Sequence, residues 1–191
     1  MRRVDKYWSK LYAGGRDFRT ISPEAISHFL SFVKNSTTKL ALDVGCGTGE
    51  LARELHSRHY QTLGIDASTE AIRIAESFNP TSNDTLNYLH FDIEHGDLQN
   101  LPAHSYDLIT CKLVYAFIDS KPAFLKRIKT LLAPSGIFVV ITPLPSDVPL
   151  DKRDVAVDES ELIFLGKNFQ QIALYKEDGL TYFVGKQFEG Q

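Results

Sequence analysis

The stretch "ALDVGCGTGELA", residues 41–52, decides the fold. It opens with a short apolar run that contains Asp43, which is typical of a buried strand. Gly45, Gly47 and Gly49 follow at every second position, and a helical pattern begins at Glu50. Glycines allow a sharp turn and a close approach to a ligand, and a helix start presents free N–H groups. We therefore expect a strand, loop and helix that together hold a nucleoside or nucleotide.

The alternation of strand and helix continues on both sides of this stretch. The patterns predict strands over residues 40–44, 61–66, 86–92, 106–113 and 136–142, and helices over 4–12 and 50–58 and from 22, 68 and 120. Such alternation predicts a parallel, doubly wound α/β sheet with helices on both faces. The tail differs: we expect a loop over 143–158, a short helix near 158–166 and an antiparallel hairpin over 169–186.

The composition limits the classes of protein that fit. The chain has 191 residues, 43% hydrophobic and 24% charged, with a net charge of −3, which predicts one domain and argues against a general nucleic-acid binder. No apolar run approaches a membrane span, and the head is too polar for a signal peptide. The two cysteines, Cys46 and Cys111, are too few for a disulfide framework, so we expect a cytoplasmic protein. We expect these cysteines either to pack as small side chains beside the ligand pocket or to form a redox-sensitive pair.

The spacing of the loop bears on its ligand. The dinucleotide fingerprint is G-x-G-x-x-G, but the position of the third glycine is Glu50, which would repel a pyrophosphate. Two carboxylates, Asp43 and Glu50, suit a ligand with positive charge, such as the sulfonium and ammonium of S-adenosylmethionine. Asp66 ends the second strand, where an acid accepts from ribose hydroxyls in NAD sites as well. Asp92 ends the third strand, where it suits an adenine amino group, with the N–H of Ile93 beside it.

Several segments, taken in order, resemble the class I S-adenosylmethionine-dependent methyltransferases. They are "LALDVGCGTGELA", "LGIDAS", "FDIEHGDL", "SYDLITCKLVYAFID" and "LLAPSGIFVVITP", and the resemblance covers residues 36–187. It implies an enzyme with a Rossmann-like sheet of seven strands in the order 3-2-1-4-5-7-6. It also implies S-adenosylmethionine as cofactor and S-adenosylhomocysteine as product. We expect a single domain, with an N-terminal helical arm (1–35), a cofactor-binding core (36–142) and a substrate-side part (143–191).

The resemblance also implies a set of cofactor-binding residues. These are Asp43, Gly45, Cys46, Gly47, Gly49, Asp66, Ala67, Asp92, Ile93, Lys112 and Leu113, with Trp8, Tyr12 and Arg19 from the arm. The head "YWSKLYAGGRDF" is similar to the arm that covers the cofactor in small methyltransferases, where Arg19 would meet the methionine carboxylate. The alternative is that these aromatic residues simply pack one helix on the body.

The catalytic residue is not assigned by the sequence. A general base is needed only when the nucleophile is protonated at the working pH. Tyr115 is a candidate that would face the substrate, or else a packing residue. Lys112 is a candidate base or anion partner, or else a solvent-facing lysine. The pattern predicts no metal site.

The methyl acceptor is narrowed by what the chain lacks. It has "CKLV" where amino-group methyltransferases of DNA carry Asn/Asp-Pro-Pro-aromatic, and it has no large insertion. We therefore expect a small-molecule acceptor and neither DNA nor a membrane as partner. An RNA or protein acceptor stays open, because residues 1–19 carry six basic side chains against two acidic ones. The sequence is also compatible with a non-catalytic S-adenosylmethionine-binding scaffold and with a nucleotide-dependent oxidoreductase. The oligomeric state is not predicted.

Overall fold

The computed structural model describes residues 3–15, 18–33, 38–78, 85–103 and 105–188. Its seven strands are β1 (Leu40–Val44), β2 (Gln61–Asp66), β3 (Leu86–His90), β4 (Tyr106–Lys112), β5 (Leu132–Thr142), β6 (Phe169–Glu177) and β7 (Leu180–Phe188). They form one sheet in the order β3-β2-β1-β4-β5-β7-β6. The first five strands pair in parallel, and β7 pairs antiparallel with β5 and β6. The predicted fold class and strand order are confirmed.

Within the described residues, six α-helices accompany the sheet: α1 (Arg3–Ala13), α2 (Pro23–Leu30), α3 (Glu50–Ser57), α4 (Thr69–Ser77), α5 (Lys121–Leu131) and α6 (Glu159–Gly166). Side-chain caps set two of the helix starts. Ser22 Oγ accepts a hydrogen bond from the Ala25 N–H at 3.1 Å, and Ser68 Oγ accepts one from Ala71 at the same distance. Each cap satisfies a backbone donor that the first turn of a helix leaves without a partner.

Three segments differ from the predicted bounds. β3 ends at His90 because the Asp92 carboxylate accepts from the N–H of Glu94 and turns the chain. β5 begins at Leu132, since this residue already pairs with Tyr106 before a shift in register. The predicted loop over 143–158 contains two short 3-10 helices, Pro145–Asp147 and Leu150–Val155.

The core lies on both faces of the sheet. One apolar cluster joins the buried sides of α5 and α6 to the strands, and the other joins α2 and α3 to the opposite face. Because the first five strands run parallel, their carboxyl ends lie at the same edge of the sheet, and the loops that follow them converge there. In the described part of the chain, no helix has the length and apolar character needed to cross a membrane.

Candidate functional site

The loop after β1 has a backbone that requires glycine. Gly45 and Gly47 have φ of +67° and +54°, in the left-handed region that side chains disfavour. A Cβ on Gly45 would lie 2.2 Å from a Val114 methyl, and one on Gly47 would lie 2.7 Å from the Tyr12 hydroxyl. The N–H groups of Gly45 and Cys46 both donate to the carbonyl of Ile65, at 2.8 and 3.0 Å. The loop is thus fixed against the end of β2, and Gly45 and Gly47 contribute backbone without side chains to its surface.

A cavity of about 240 Å³ opens beside this loop, where the parallel strands end. Most of the residues predicted to bind the cofactor line it: Trp8, Tyr12, Gly45, Cys46, Gly47, Asp66, Ala67, Asp92, Ile93, Lys112 and Leu113. These residues come from the arm and from the ends of four strands, so the fold brings them together from distant parts of the chain.

Two acids at strand ends shape the wall of the cavity. The Asp66 carboxylate is buried and accepts from the N–H of Gly47 at 2.9 Å and of Ser68 at 2.8 Å. It therefore connects the glycine loop to the start of α4. Asp92 is half-buried, and its second oxygen lies 3.1 Å from Nδ1 of His95. Both residues line the cavity, and carboxylate oxygens can accept hydrogen bonds from hydroxyl and amino groups.

Charged groups also gather between β1 and β4. Asp43 is buried at the end of β1, where the Thr110 hydroxyl donates to it at 2.7 Å. Burial raises the pKa of Asp43 to about 6, against the lowering effects of the Thr110 hydrogen bond and the nearby Lys112. Lys112 Nζ lies 3.1 Å from Glu50 Oε2, and both residues line the cavity. This end of the site therefore offers a cation and carboxylates side by side.

The arm forms one wall of the cavity. The ring of Trp8 contacts Phe117 edge to face at a centroid distance of 4.9 Å, and Tyr12 contacts Phe18 at 5.6 Å. The hydroxyls of Ser9 and Ser68 lie 2.9 Å apart, which attaches α1 to the start of α4. The aromatic side chains of the arm thus pack α1 on the body and line the cavity at the same time.

Two predicted residues lie elsewhere, which corrects their proposed contacts. The Arg19 guanidinium donates to the carbonyl of Asp178 in the turn between β6 and β7, because the segment before α2 runs along that turn. It is therefore directed to the hairpin and not to a carboxylate in the cavity. Tyr115 is fully buried against Phe124 in the core, so it does not face a substrate. Burial raises the pKa of the Tyr115 hydroxyl, which further disfavours it as a base.

Gly49 and the two cysteines occupy different places around the loop. Gly49 precedes α3, and its carbonyl accepts from the Tyr88 hydroxyl at 3.2 Å. Cys46 lines the cavity, whereas Cys111 is buried beside Val44 in the sheet. Burial raises the pKa of both thiols, so each stays a neutral thiol at neutral pH and a poor nucleophile.

Sequence reasoning missed several residues of the cavity wall. Glu94 lines the cavity, and its carboxylate accepts from the N–H groups of Asp119 and Ser120 at 3.2 and 3.1 Å. Phe117 lies on a 3-10 helix, Tyr115–Phe117, too short to give a periodic pattern. The sequence offered one indication that Phe117 lies at the cavity, which is its position shortly after the end of β4.

Comparison with known proteins agrees with this geometry. A family model described as a methyltransferase domain matches residues 42–140. Over 106 residues the chain is 35% identical to the ubiquinone biosynthesis O-methyltransferase of Psychrobacter cryohalolentis, covering 54% of this chain and 40% of that protein. Over 103 residues it is 31% identical to the malonyl-[acyl-carrier protein] O-methyltransferase of Halalkalibacterium halodurans, covering 53% of this chain and 38% of that protein. The matched region therefore spans less than half the length of these curated relatives.

A solved structure extends the likeness to most of the fold. The plantazolicin methyltransferase BpumL, in complex with SAH (S-adenosylhomocysteine), superposes with a TM-score of 0.62. The superposition covers 84% of this chain and 80% of that one, at 16% sequence identity. At this identity the likeness shows a shared fold.

Proposed function

Since the chain belongs to the class I S-adenosylmethionine-dependent methyltransferases, we propose that its methyl acceptor is a small molecule and that the cavity beneath the arm binds the cofactor. The chain is an enzyme whose cofactor is S-adenosylmethionine. The acceptor and the residues that hold each group are the proposed part.

The residues of the cavity fit this cofactor. Gly45 and Gly47 line the cavity without a side chain, so a ligand can approach their backbone closely. Asp66 would accept from ribose hydroxyls, and Asp92 with the N–H of Ile93 would hold the adenine. Glu50, Asp43 and Lys112 would surround the charged amino-acid portion. S-adenosylmethionine supplies a methyl group on a sulfonium, which is already bonded to a good leaving group.

The protein's task is then to position the acceptor and exclude water. Alignment of two reacting groups is worth several kcal/mol by itself, and transfer by in-line displacement to O, N, S or C needs no protein nucleophile. The Trp8 and Phe117 rings close one side of the cavity, which keeps water from the reacting atoms. Lys112 donates to two acceptors, and this favours a binding role over that of a base.

One observation carries the small-molecule proposal: the wall beyond the cofactor residues is made by short segments with apolar side chains. Phe18 from the arm, Phe117 and Ile118 after β4, and Val155 after β5 all line the same cavity. A concave, mostly apolar site of this kind suits a small organic acceptor. One curated relative is named for ubiquinone biosynthesis and the other for malonyl-[acyl-carrier protein], so the names suggest a small organic acceptor that is either free or bound to a carrier. We also propose that the single domain has three functional parts. The core at 36–142 binds the cofactor, and the segments 1–35 and 143–191 supply walls for the acceptor.

Binding calorimetry with S-adenosylhomocysteine and NAD tests the cofactor assignment. We expect S-adenosylhomocysteine to bind and the Asp66→Asn variant to lose about 1.5–3 kcal/mol of binding free energy, the scale of charge-assisted hydrogen bonds. Asp107→Asn is a matched control, because Asp107 is also buried and accepts from the Leu40 N–H at 2.9 Å, near the start of β1. It should cost stability and leave affinity unchanged. Preferential binding of NAD, or full affinity in Asp66→Asn, contradicts the assignment.

A labelling screen tests the acceptor class. The enzyme is incubated with methyl-labelled S-adenosylmethionine and with separated fractions of a cell extract, small molecules in one and macromolecules in the other. We expect label in a low-mass product that mass spectrometry can identify. Label confined to RNA or protein would contradict the small-molecule proposal while leaving the enzyme class intact.

A further inference from the structure

One carboxylate in the cavity wall connects two loops. Glu94 lies in the loop after β3 and lines the cavity. Its Oε2 accepts a hydrogen bond from the Asp119 N–H at 3.2 Å, and its Oε1 accepts one from the Ser120 N–H at 3.1 Å. The side chain therefore attaches the loop after β3 to the segment between β4 and α5, and each carboxylate oxygen holds a different backbone group.

The start of α5 has no cap of its own for these groups. The helix begins at Lys121, and within the described residues the Ser120 side chain before it makes no capping hydrogen bond. In a capping box the third helical residue, Glu or Gln, accepts from the N–H of the residue before the helix. In α5 that position is Ala123, which has no polar side chain. Glu94 takes this role from another loop.

The segment that Glu94 holds has a strained backbone at its start. Leu113 has a φ of +59°, in the left-handed region that favours glycine. Strained conformations of this kind persist only where the surrounding contacts fix them. The Leu113 N–H donates to the carbonyl of Ile141 at 2.8 Å. This bond fixes one end of the segment, and Glu94 fixes the other.

Two side chains of the proposed acceptor wall lie between these fixed ends. Phe117 and Ile118 both line the cavity, and the Phe117 ring contacts Trp8 edge to face at a centroid distance of 4.9 Å. The 3-10 turn that carries them is short, and its hydrogen bond from the Ile118 N–H to the Tyr115 carbonyl is long, at 3.3 Å. Because 3-10 turns hold their shape weakly by themselves, the place of these side chains depends on the contacts that Glu94 makes.

We propose that Glu94 is a positioning residue that determines acceptor specificity, because its carboxylate holds Phe117 and Ile118 in the acceptor wall. The inference rests on the proposed function and identifies what fixes that wall. The role belongs to the Glu94 side chain, whereas its backbone N–H donates to Asp92 Oδ1 at 2.9 Å. A substitution at Glu94 therefore leaves the proposed adenine contact in place and alters the acceptor side.

Trp8 emission tests the positioning without an acceptor. Trp8 is the single tryptophan of the chain, so its fluorescence reports on the contact with Phe117. We expect Glu94→Ala and Phe117→Ala to red-shift the emission by a similar amount. The double variant should shift it no further, because both changes remove the same contact. Glu94→Gln keeps one accepting oxygen and loses the other, so its shift should be about half as large.

Kinetics with the acceptor found in the labelling screen test the specificity. Glu94→Gln should raise the acceptor KM by about tenfold, the scale of one apolar contact in a pocket, and change kcat less. Calorimetry should give an S-adenosylhomocysteine affinity within about twofold of wild type, since the cofactor contacts are untouched. Additive emission shifts, an unchanged acceptor KM, or equal losses for the acceptor and S-adenosylhomocysteine would each overturn the inference.

A matched control removes another carboxylate that caps a helix. Asp158 precedes α6 and accepts from the Glu161 N–H at 2.9 Å. Asp158→Ala should lower stability and leave Trp8 emission and the acceptor KM unchanged, whereas changes as large as those of Glu94→Ala would show that any lost cap has this effect and would overturn the inference. A wild-type chain that labels no fraction of the extract refutes the proposed function, and the emission shifts still decide whether Glu94 positions Phe117.

Discussion

Replacing Gly47 with alanine tests how the arm meets the glycine loop. The φ of +54° costs an alanine about 1–2 kcal/mol, because its Cβ approaches the carbonyl oxygen in the left-handed region. The new Cβ would also lie 2.7 Å from the Tyr12 hydroxyl, a contact too short to persist. Overpacking of this kind costs about 1–3 kcal/mol. The free energy of unfolding should therefore fall by about 2–5 kcal/mol, with Tyr12 and the arm displaced from the loop.

Two further variants separate the strain from the collision. Gly15 has a φ of +74° with nothing within 4 Å of an added Cβ, so Gly15→Ala carries the strain alone. The second variant adds Tyr12→Phe to Gly47→Ala. It removes the colliding oxygen and leaves the nearest ring carbon at 3.4 Å. Measured against Tyr12→Phe alone, this double variant should recover the collision energy and retain only the strain.

Urea unfolding gives the free energies, and intrinsic fluorescence reports on the arm. Trp8 is the single tryptophan of the chain, and it lies in the arm against Phe117. We expect a red-shifted Trp8 emission in Gly47→Ala and wild-type emission once Tyr12→Phe is added. Equal destabilisation by Gly47→Ala and Gly15→Ala, with unchanged Trp8 emission, would refute the contact between Tyr12 and the loop.

Three other substitutions test separate features. Burial raises the pKa of Asp43 from 3.8 to about 6, so the folded state holds that proton more tightly than the unfolded state. Wild-type stability should fall by roughly 2.4 kcal/mol between pH 4 and 7 relative to Asp43→Asn, and urea unfolding that shows a constant difference would contradict this. Tyr115→Phe removes a buried hydroxyl that has no hydrogen-bond partner in the described residues. It should leave S-adenosylhomocysteine affinity unchanged in calorimetry and stability unchanged or about 1 kcal/mol higher, whereas lost affinity would return Tyr115 to the site. Asp178 has a φ of +52° and accepts from the Ser22 N–H at 2.7 Å. Both Asp178→Ala and Asp178→Gly remove this hydrogen bond, but glycine adopts the positive φ without strain. Asp178→Ala should therefore lower the midpoint of thermal unfolding more than Asp178→Gly, and equal losses would show that backbone strain has no part.

The place of Asp66 and Asp92 in the cavity wall could be predicted from local sequence, because each residue lies at the end of its own strand. In a parallel sheet the carboxyl ends meet at one edge, so Asp66 and Asp92 come together once the strands are placed. The helix starts were readable for a similar reason, since Ser22 and Ser68 act within one turn of their own chain. Interactions of this range need no knowledge of distant packing.

The positions of Arg19 and Tyr115, which the sequence did not settle, have the opposite origin. Arg19 has a long, flexible side chain, and its partner Asp178 comes from the other end of the chain. No spacing rule connects them, so a cationic residue near the arm was assigned to the cavity. Tyr115 follows β4 closely, but the tight 3-10 helix there turns it into the core and leaves Phe117 at the cavity. In such a short element, residues two positions apart lie on opposite sides, one in the core and one at the cavity. Three residues are too few for a periodic pattern to predict which is which.

This difference between local and distant interactions implies that donor binding and acceptor choice are physically separable. The glycine loop and strand-end acids are fixed by backbone geometry that tolerates little change, because Gly45 and Gly47 have neighbours where a Cβ would be. The proposed acceptor wall includes side chains such as Trp8 and Phe117, whose rings contact each other edge to face. A smaller residue at Phe117 would therefore widen the acceptor space without moving the loop. Phe164, on α6 and equally exposed at 37% against 36% for Phe117, provides the matched control. We expect Phe117→Ala to alter which acceptors are labelled. The affinity for S-adenosylhomocysteine should stay within about threefold, since the cofactor's polar contacts remain. A loss of cofactor binding as large as that of Asp66→Asn would show that donor binding and acceptor choice are not separable.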